Sequence, residues 1–198
     1  MNAMQIRSLL ADGRTWIGVG LTLLGAVVTA GWLLHLPALV QIVPGSKNVV
    51  LQTAWCFGAA GAALLATALQ TDVGRVHRVA GGFLVLVAVL VLAETLTGVR
   101  VGIDLVSLHE WIGDGNPTPG RMAPNTAIAF LFAGLAILIA DESSGRARTV
   151  ARALAAVVVA LGILGLAAHF MRLEGLYAQL YREQFLAPET EQPAVATA

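Results

Sequence analysis

Five stretches of this chain contain no Asp, Glu, Lys or Arg: Thr15–Ser46, Asn48–Thr71, Val79–Ala93, Met122–Ala140 and Ala153–Met171. A helix that crosses a bilayer needs about 20 mostly apolar residues, in a range of roughly 17–25. Soluble domains carry roughly 25% charged residues. Here only 12% of 198 residues are charged and 57% are hydrophobic, too few charges to coat a water-soluble body of this size. The chain therefore reads as a polytopic membrane protein. Lipid offers no partner to an open backbone group, and the runs lack the two-residue alternation of barrel strands, so the spans are helices.

The expected fold is all-α: a bundle of five transmembrane helices with short interfacial helices. The spans are placed at roughly Trp16–Leu36, Val49–Leu69, Val79–Gly98, Pro124–Ala140 and Arg152–Phe170. Residues 1–170 form the bundle. Residues 171–198 form a polar tail, amphipathic around Leu173, Leu176, Leu180 and Tyr181 and disordered beyond Pro188.

Several functions are excluded by the same arithmetic. Twelve basic residues balance twelve acidic ones, and Lys47 is the single lysine, so there is no basic stripe for nucleic acid. One cysteine, Cys56, lies in an apolar run, which leaves neither a disulfide framework nor a CxxC metal site. The first apolar run exceeds the 7–15 residues of a signal-peptide core and other spans follow, so it is a retained helix. No nucleophile elbow, P-loop, HExxH or paired-carboxylate motif occurs, and a non-enzymatic role is expected.

Arginine placement sets the expected orientation. With the N-terminus in the cytoplasm, that side receives Arg7, Arg14, Arg75, Arg78, Arg146, Arg148 and Arg152. The other side receives Lys47, Arg100, Arg121, Arg172 and Arg182. Five spans from an inside start put the C-terminus in the periplasm of a bacterial inner membrane.

The chain also repeats itself. Gln52–Leu65 and Asn125–Leu138 share seven identities in fourteen positions at a constant offset of 73, Phe57/Phe130 and Gly61/Gly134 among them. A Pro-Gly pair, Pro44-Gly45 or Pro119-Gly120, precedes each copy. The implied unit is a helix going out, an outer loop and a helix returning. Spans 1–2 and 3–4 would be parallel copies about an axis along the membrane normal, with span 5 opening a third unit. Small residues at Gly58, Gly61, Gly162 and Gly165 suit close helix packing, or a face for a partner's helix or a second copy.

The segment Glu94-Thr-Leu-Thr-Gly-Val-Arg-Val-Gly-Ile-Asp-Leu105, then Pro119-Gly-Arg-Met-Ala-Pro-Asn-Thr-Ala127 and the helix through Phe130 and Gly134, carries a family resemblance. It is similar to the multi-pass N-terminal membrane regions of bacterial PAS-linked sensor histidine kinases and diguanylate cyclases. The match is best over Glu94–Ala140. It implies a signal-input module that acts through helix packing on a membrane or cytoplasmic partner carrying the output domain; the alternative is a structural accessory subunit of a larger membrane complex, docked through its small-residue faces.

With that orientation, the polar residues collect at the outer boundary. Glu94, Gln52, Asn125, Thr126 and Asp104 are expected to line one polar pocket, with Gln52 and Asn125 at matching places of the two copies. An ionisable residue inside a span is costly and marks a functional position, so Glu94 is the candidate sensor of a proton or ligand. Its expected hydrogen-bond partners are Thr95, Asn125 and Thr126, with the Gln52 amide and Thr53 as further donors, and the alternative is a satisfied structural network without a ligand. His35 and His169, both near outer helix ends, offer an alternative role as axial ligands of a haem or another redox cofactor. His109-Glu110 lacks a third ligand for a metal, and no cofactor is expected from it. Asp104 is read as the N-cap of a short surface helix whose Leu105, Leu108 and Ile112 stripe, with Trp111, lids the bundle.

Overall fold

The computed structural model describes residues 12–41, 48–112 and 118–170, and every regular element among them is helical. In chain order these are α1 (Gly13–Leu33), α2 (Pro37–Val40), α3 (Leu51–Leu69) and α4 (Val73–Thr97). Two 3₁₀ turns, Val106–Leu108 and Glu110–Ile112, precede α5 (Pro124–Ile139) and α6 (Gly145–Phe170). Four helices are long and apolar enough to cross a membrane: α1, α3, α4 and Gly145–Ala168 of α6. The helix α5 is apolar but has 16 residues. At 1.5 Å per residue it reaches about 24 Å, against a hydrocarbon core of about 30 Å. The expected tail and the Pro44-Gly45 pair lie outside the described residues.

Helix ends differ from the sequence reading because local capping decides them. The α1 helix starts at Gly13, where the Asp12 side chain accepts the Arg14 N–H at 2.9 Å. It stops at Leu33, three residues early, because His35 adopts φ +53° and the Leu36 N–H folds back to Gly31 O at 2.9 Å. Gln70 ends α3 in the same way, at φ +53° with Thr71 N–H on Ala66 O at 3.1 Å. Gly98 takes the corresponding position after α4 at φ +70°, where glycine is unstrained. The start of α4 at Val73, rather than Val79, brings Arg75, His77 and Arg78 onto its first turns.

The chain divides into two units at Val158, the first holding α1 to α5 and the start of α6, the second the rest of α6. Within the first unit, α1 packs on α3, α4 packs on α5, and α3 also packs on α4. Glycines set both close pairs. A Cβ on Gly18 would meet Leu65 Cγ at 2.9 Å and Gly61 O at 3.1 Å; one on Gly81 would meet Leu138 Cγ at 2.8 Å and Gly134 O at 2.9 Å. Small residues are what allow such approach in lipid, where no hydrophobic force separates a helix neighbour from an acyl chain. Phe57 and Phe130 meet edge to face, with ring centroids 5.4 Å apart.

Two apolar clusters result. Cys56, Leu84, Val87, Val91, Met122, Ala127 and Phe130 fill the space between α3, α4 and α5. Val28, Trp32, Val40, Leu51 and Ala54 form the second, covered by Leu105, Leu108, Trp111 and Ile112. The segment after α4 is therefore a lid, but not the expected single helix. It is two 3₁₀ turns, the first entered through Leu105 at φ +46° without a side-chain cap. Asp104 is engaged elsewhere.

Candidate functional site

The lid and the helix ends beneath it form a cap built from residues far apart in sequence. It begins with an unsatisfied helix start. The N-cap position of α3 is Val50, which has no side-chain acceptor. The need is met from the lid: the Leu51 N–H donates to His109 Nε2 at 3.3 Å. A backbone N–H can only donate, so Nε2 accepts, Nδ1 carries the proton, and Nδ1–H donates to Leu105 O at 3.0 Å. His109 is buried with its ring centroid 4.1 Å from that of Trp32. The Trp32 indole N–H donates to Val49 O at 2.8 Å, and Trp111 packs edge-on against both Trp32 and His35.

Gly120 closes the cap from the other side. It sits at φ +74°, and a Cβ there would overlap the Asp104 carbonyl oxygen and lie 2.6 Å from His109 Nδ1. Next to it, Arg121 Nε donates to Asp104 Oδ2 at 3.1 Å, both side chains being largely buried. Asp104 thus ties the lid to the strap leading into α5.

Of the five residues assigned to one pocket by sequence, three meet on a single turn. Glu94 and Gln52 are each 1% exposed, and Asp104 is 4% exposed. Glu94 Oε1 accepts the Val101 N–H at 2.6 Å, and Gln52 Nε2 donates to Ile103 O at 2.6 Å. Together with Asp104 they hold the segment Val101–Asp104 against the helix ends. Glu94 does not use its expected partners: Thr95 donates its hydroxyl to Val91 O at 2.8 Å. Asn125 is exposed and Thr126 half-buried, and neither has a hydrogen bond to Glu94 among the described residues. The amide pair expected from the repeat is not formed. The lid covers the start of α3 and draws Gln52 inward, whereas Asn125 is exposed.

Each of the three anchors uses one side only. Among the described residues no donor reaches Gln52 Oε1, Glu94 Oε2 or Asp104 Oδ1, all of them buried. Buried polar atoms are otherwise almost always satisfied, because an unpaired one forfeits its hydration without return. The cap therefore holds three acceptor oxygens in need of donors or positive charge, together with one buried donor without a partner among the described residues, the Trp111 indole N–H. The open groove lined by Gly25, Ala26, Ala54, Trp55 and Gly58 offers nothing comparable, since Thr22 and Thr29 beside it give their hydroxyls to Gly18 O and Gly25 O.

A second polar cluster lies at the opposite end of the bundle. Buried His77 on α4 points Nε2 at Thr67 Oγ1 (2.8 Å) and Ala63 O (3.3 Å), and Nδ1 at Asp141 Oδ1 (3.1 Å). Thr67 donates its own proton to Ala63 O at 3.0 Å, so Nε2–H is the donor to both oxygens. His77 thus joins α3 to α4, while its Nδ1, beside Asp141 Oδ1, makes no hydrogen bond among the described residues.

His35, one of the two residues considered for haem, ends α1 and packs its ring 4.9 Å from that of Trp111. The side chain of His169 lies outside the described residues. Comparison of the chain with family models, curated proteins and solved structures returns no match.

Proposed function

We propose that this chain is the signal-input module of a bacterial membrane sensor system, non-enzymatic itself, with the cap as its stimulus-receiving end. The observation that carries the reading is Glu94. A carboxyl group buried in an apolar helix is retained at a cost, and here it holds a loop rather than the helix core. Anything that changes the Glu94 environment changes the grip on Val101–Asp104, and through it the ends of α3, α4 and α5.

The topology proposed is five spans in the inner membrane, with α5 completed by its flanking residues, the N-terminus cytoplasmic and the C-terminus periplasmic. The two hairpins, α1/α3 and α4/α5, are taken as copies of one unit. The matching crossings Gly18–Gly61–Leu65 and Gly81–Gly134–Leu138 support this, as does the meeting of Phe57 with its counterpart Phe130. The likeness of Glu94–Ala140 to PAS-linked sensor regions supports the functional class. Output passes to a partner protein as a population shift between two packings of the hairpins. None of the apolar window of α6 is buried, which leaves that helix for lipid or for the partner.

Orientation tests the reading, because an input cap must face outward. In a Cys56→Ala background, a cysteine at exposed Val99 is expected to react with a membrane-impermeant maleimide in intact cells. One at exposed Ser144 is expected to react only after permeabilisation. The reverse pattern would put the cap in the cytoplasm and remove the periplasmic input.

A further inference from the structure

We propose that the Val101–Asp104 turn and its three anchors form a binding site for one small, hard monovalent cation of the sodium type, an assignment that rests on reading the cap as the input site. The geometry limits where the unpaired oxygens lie. The two ends of a carboxamide or carboxylate are about 2.2 Å apart. With Gln52 Nε2 2.6 Å from Ile103 O, Gln52 Oε1 lies within about 5 Å of that carbonyl. The same reasoning places Glu94 Oε2 within about 5 Å of Val101 N. Asp104 is the next residue of the same turn, which Gly102 bends at φ +83°. Three buried oxygens without protein donors are thus hung on four consecutive residues.

Chemistry then selects the ligand. All three are oxygen acceptors, the donor set preferred by hard cations and not by soft metals. Glu94 and Asp104 carry two formal negative charges, and Arg121 supplies one positive charge through Asp104 Oδ2. Among the buried charges of the described residues, a single positive charge completes the balance, and a divalent ion overshoots it. A proton would serve Glu94 and at most one neighbour, whereas a cation accepts several oxygen ligands at once. Binding would tighten the hold of α3 and α4 on the lid, making occupancy the event that the cap reports.

The test uses the full chain in nanodiscs, with choline replacing sodium at constant ionic strength. Expected are saturable binding of radioactive ²²Na⁺ at one ion per chain and a rise in Tm of about 5 °C on sodium saturation. Glu94→Gln is expected to abolish both, since it keeps the shape and the Val101 hydrogen bond but removes the charge. Should that variant not fold, ²²Na⁺ binding to the wild-type chain decides alone. Absence of saturable binding with a Tm indifferent to sodium overturns the proposal. So does a Tm that follows pH but not sodium, which would assign the charge to a proton. A larger response to Ca²⁺ than to Na⁺ overturns the monovalent assignment. None of these outcomes bears on the orientation of the cap, which the maleimide labelling decides without sodium as a variable.

Discussion

Replacing Gly120 with valine is expected to detach the lid while leaving the helices in the membrane. The residue sits at φ +74°, a region that a β-branched side chain strongly resists. Its first side-chain carbon would overlap the Asp104 carbonyl oxygen and press on His109 Nδ1. Neither neighbour can retreat: Asp104 is paired with Arg121, and His109 is bonded to Leu51 and Leu105. The expected cost is about 3 kcal/mol or more, the range of backbone strain combined with overpacking. Loss of the lid exposes Trp32 and Trp111 and frees the Leu51 N–H. The readouts are a red shift of tryptophan emission and faster hydrogen exchange at the start of α3. Gly102→Ala is the control. It shares a positive φ, +83°, but a Cβ there has nothing within 4 Å, so only about 1–2 kcal/mol of backbone strain is expected.

The second large effect concerns the glycine crossings. Alanine at Gly61 would drive a methyl group into Thr22 and to within 2.7 Å of Gly18 O; at Gly134 it would meet Gly81 O at 2.8 Å and Leu84 Cβ at 2.9 Å. Backbone cannot give way as a flexible side chain does, so each substitution separates its helix pair. We expect losses of about 2–3 kcal/mol for either alanine, and failure to fold for leucine at either site. Gly58→Ala, three residues from Gly61 on the same helix, has open space and is expected to be near neutral. Reversible unfolding in mixed micelles measures the three alanine variants. Equal costs at Gly61 and Gly134 follow if the hairpins are built alike; a large cost at only one of them contradicts that equivalence.

What was legible in the sequence follows from the range of the forces involved. The charge-free runs identify the helices because lipid acts on every residue of a span independently of its tertiary neighbours. Helix ends were less legible, because His35 and Gln70, not glycines, take the left-handed positions that close α1 and α3. Glu94, Gln52 and Asp104 stood out as polar groups against an apolar background, and burial brings them to one turn. Asn125 matched Gln52 by position in the sequence pattern, yet equal position does not give equal surroundings, since Gln52 is buried under the lid and Asn125 is exposed. His109 and Gly120 were missed as structural members of the cap. Their roles arise from contacts such as Leu51–His109, 58 residues apart, for which no local pattern exists. The only local trace was the Pro119-Gly120 pair, a turn signal that does not reveal what the turn packs against.

The account stands on coupling between the cap and the opposite end of the bundle, where His77 of the second hairpin meets Thr67 and Ala63 of the first. The direct measurement is a double electron–electron resonance distance between spin labels at exposed Arg14 and Glu142 in a Cys56→Ala background. Wild type is to be compared with Glu94→Ala, which removes the Val101 anchor. If the cap controls hairpin packing, the Glu94→Ala distance distribution shifts by about 2 Å or more, on the scale of interface helix shifts in switching proteins. If hydrogen exchange shows the Val101–Asp104 turn released while the Arg14–Glu142 distribution stays superimposable on wild type, the cap is a structural lid and the signal-input account is wrong.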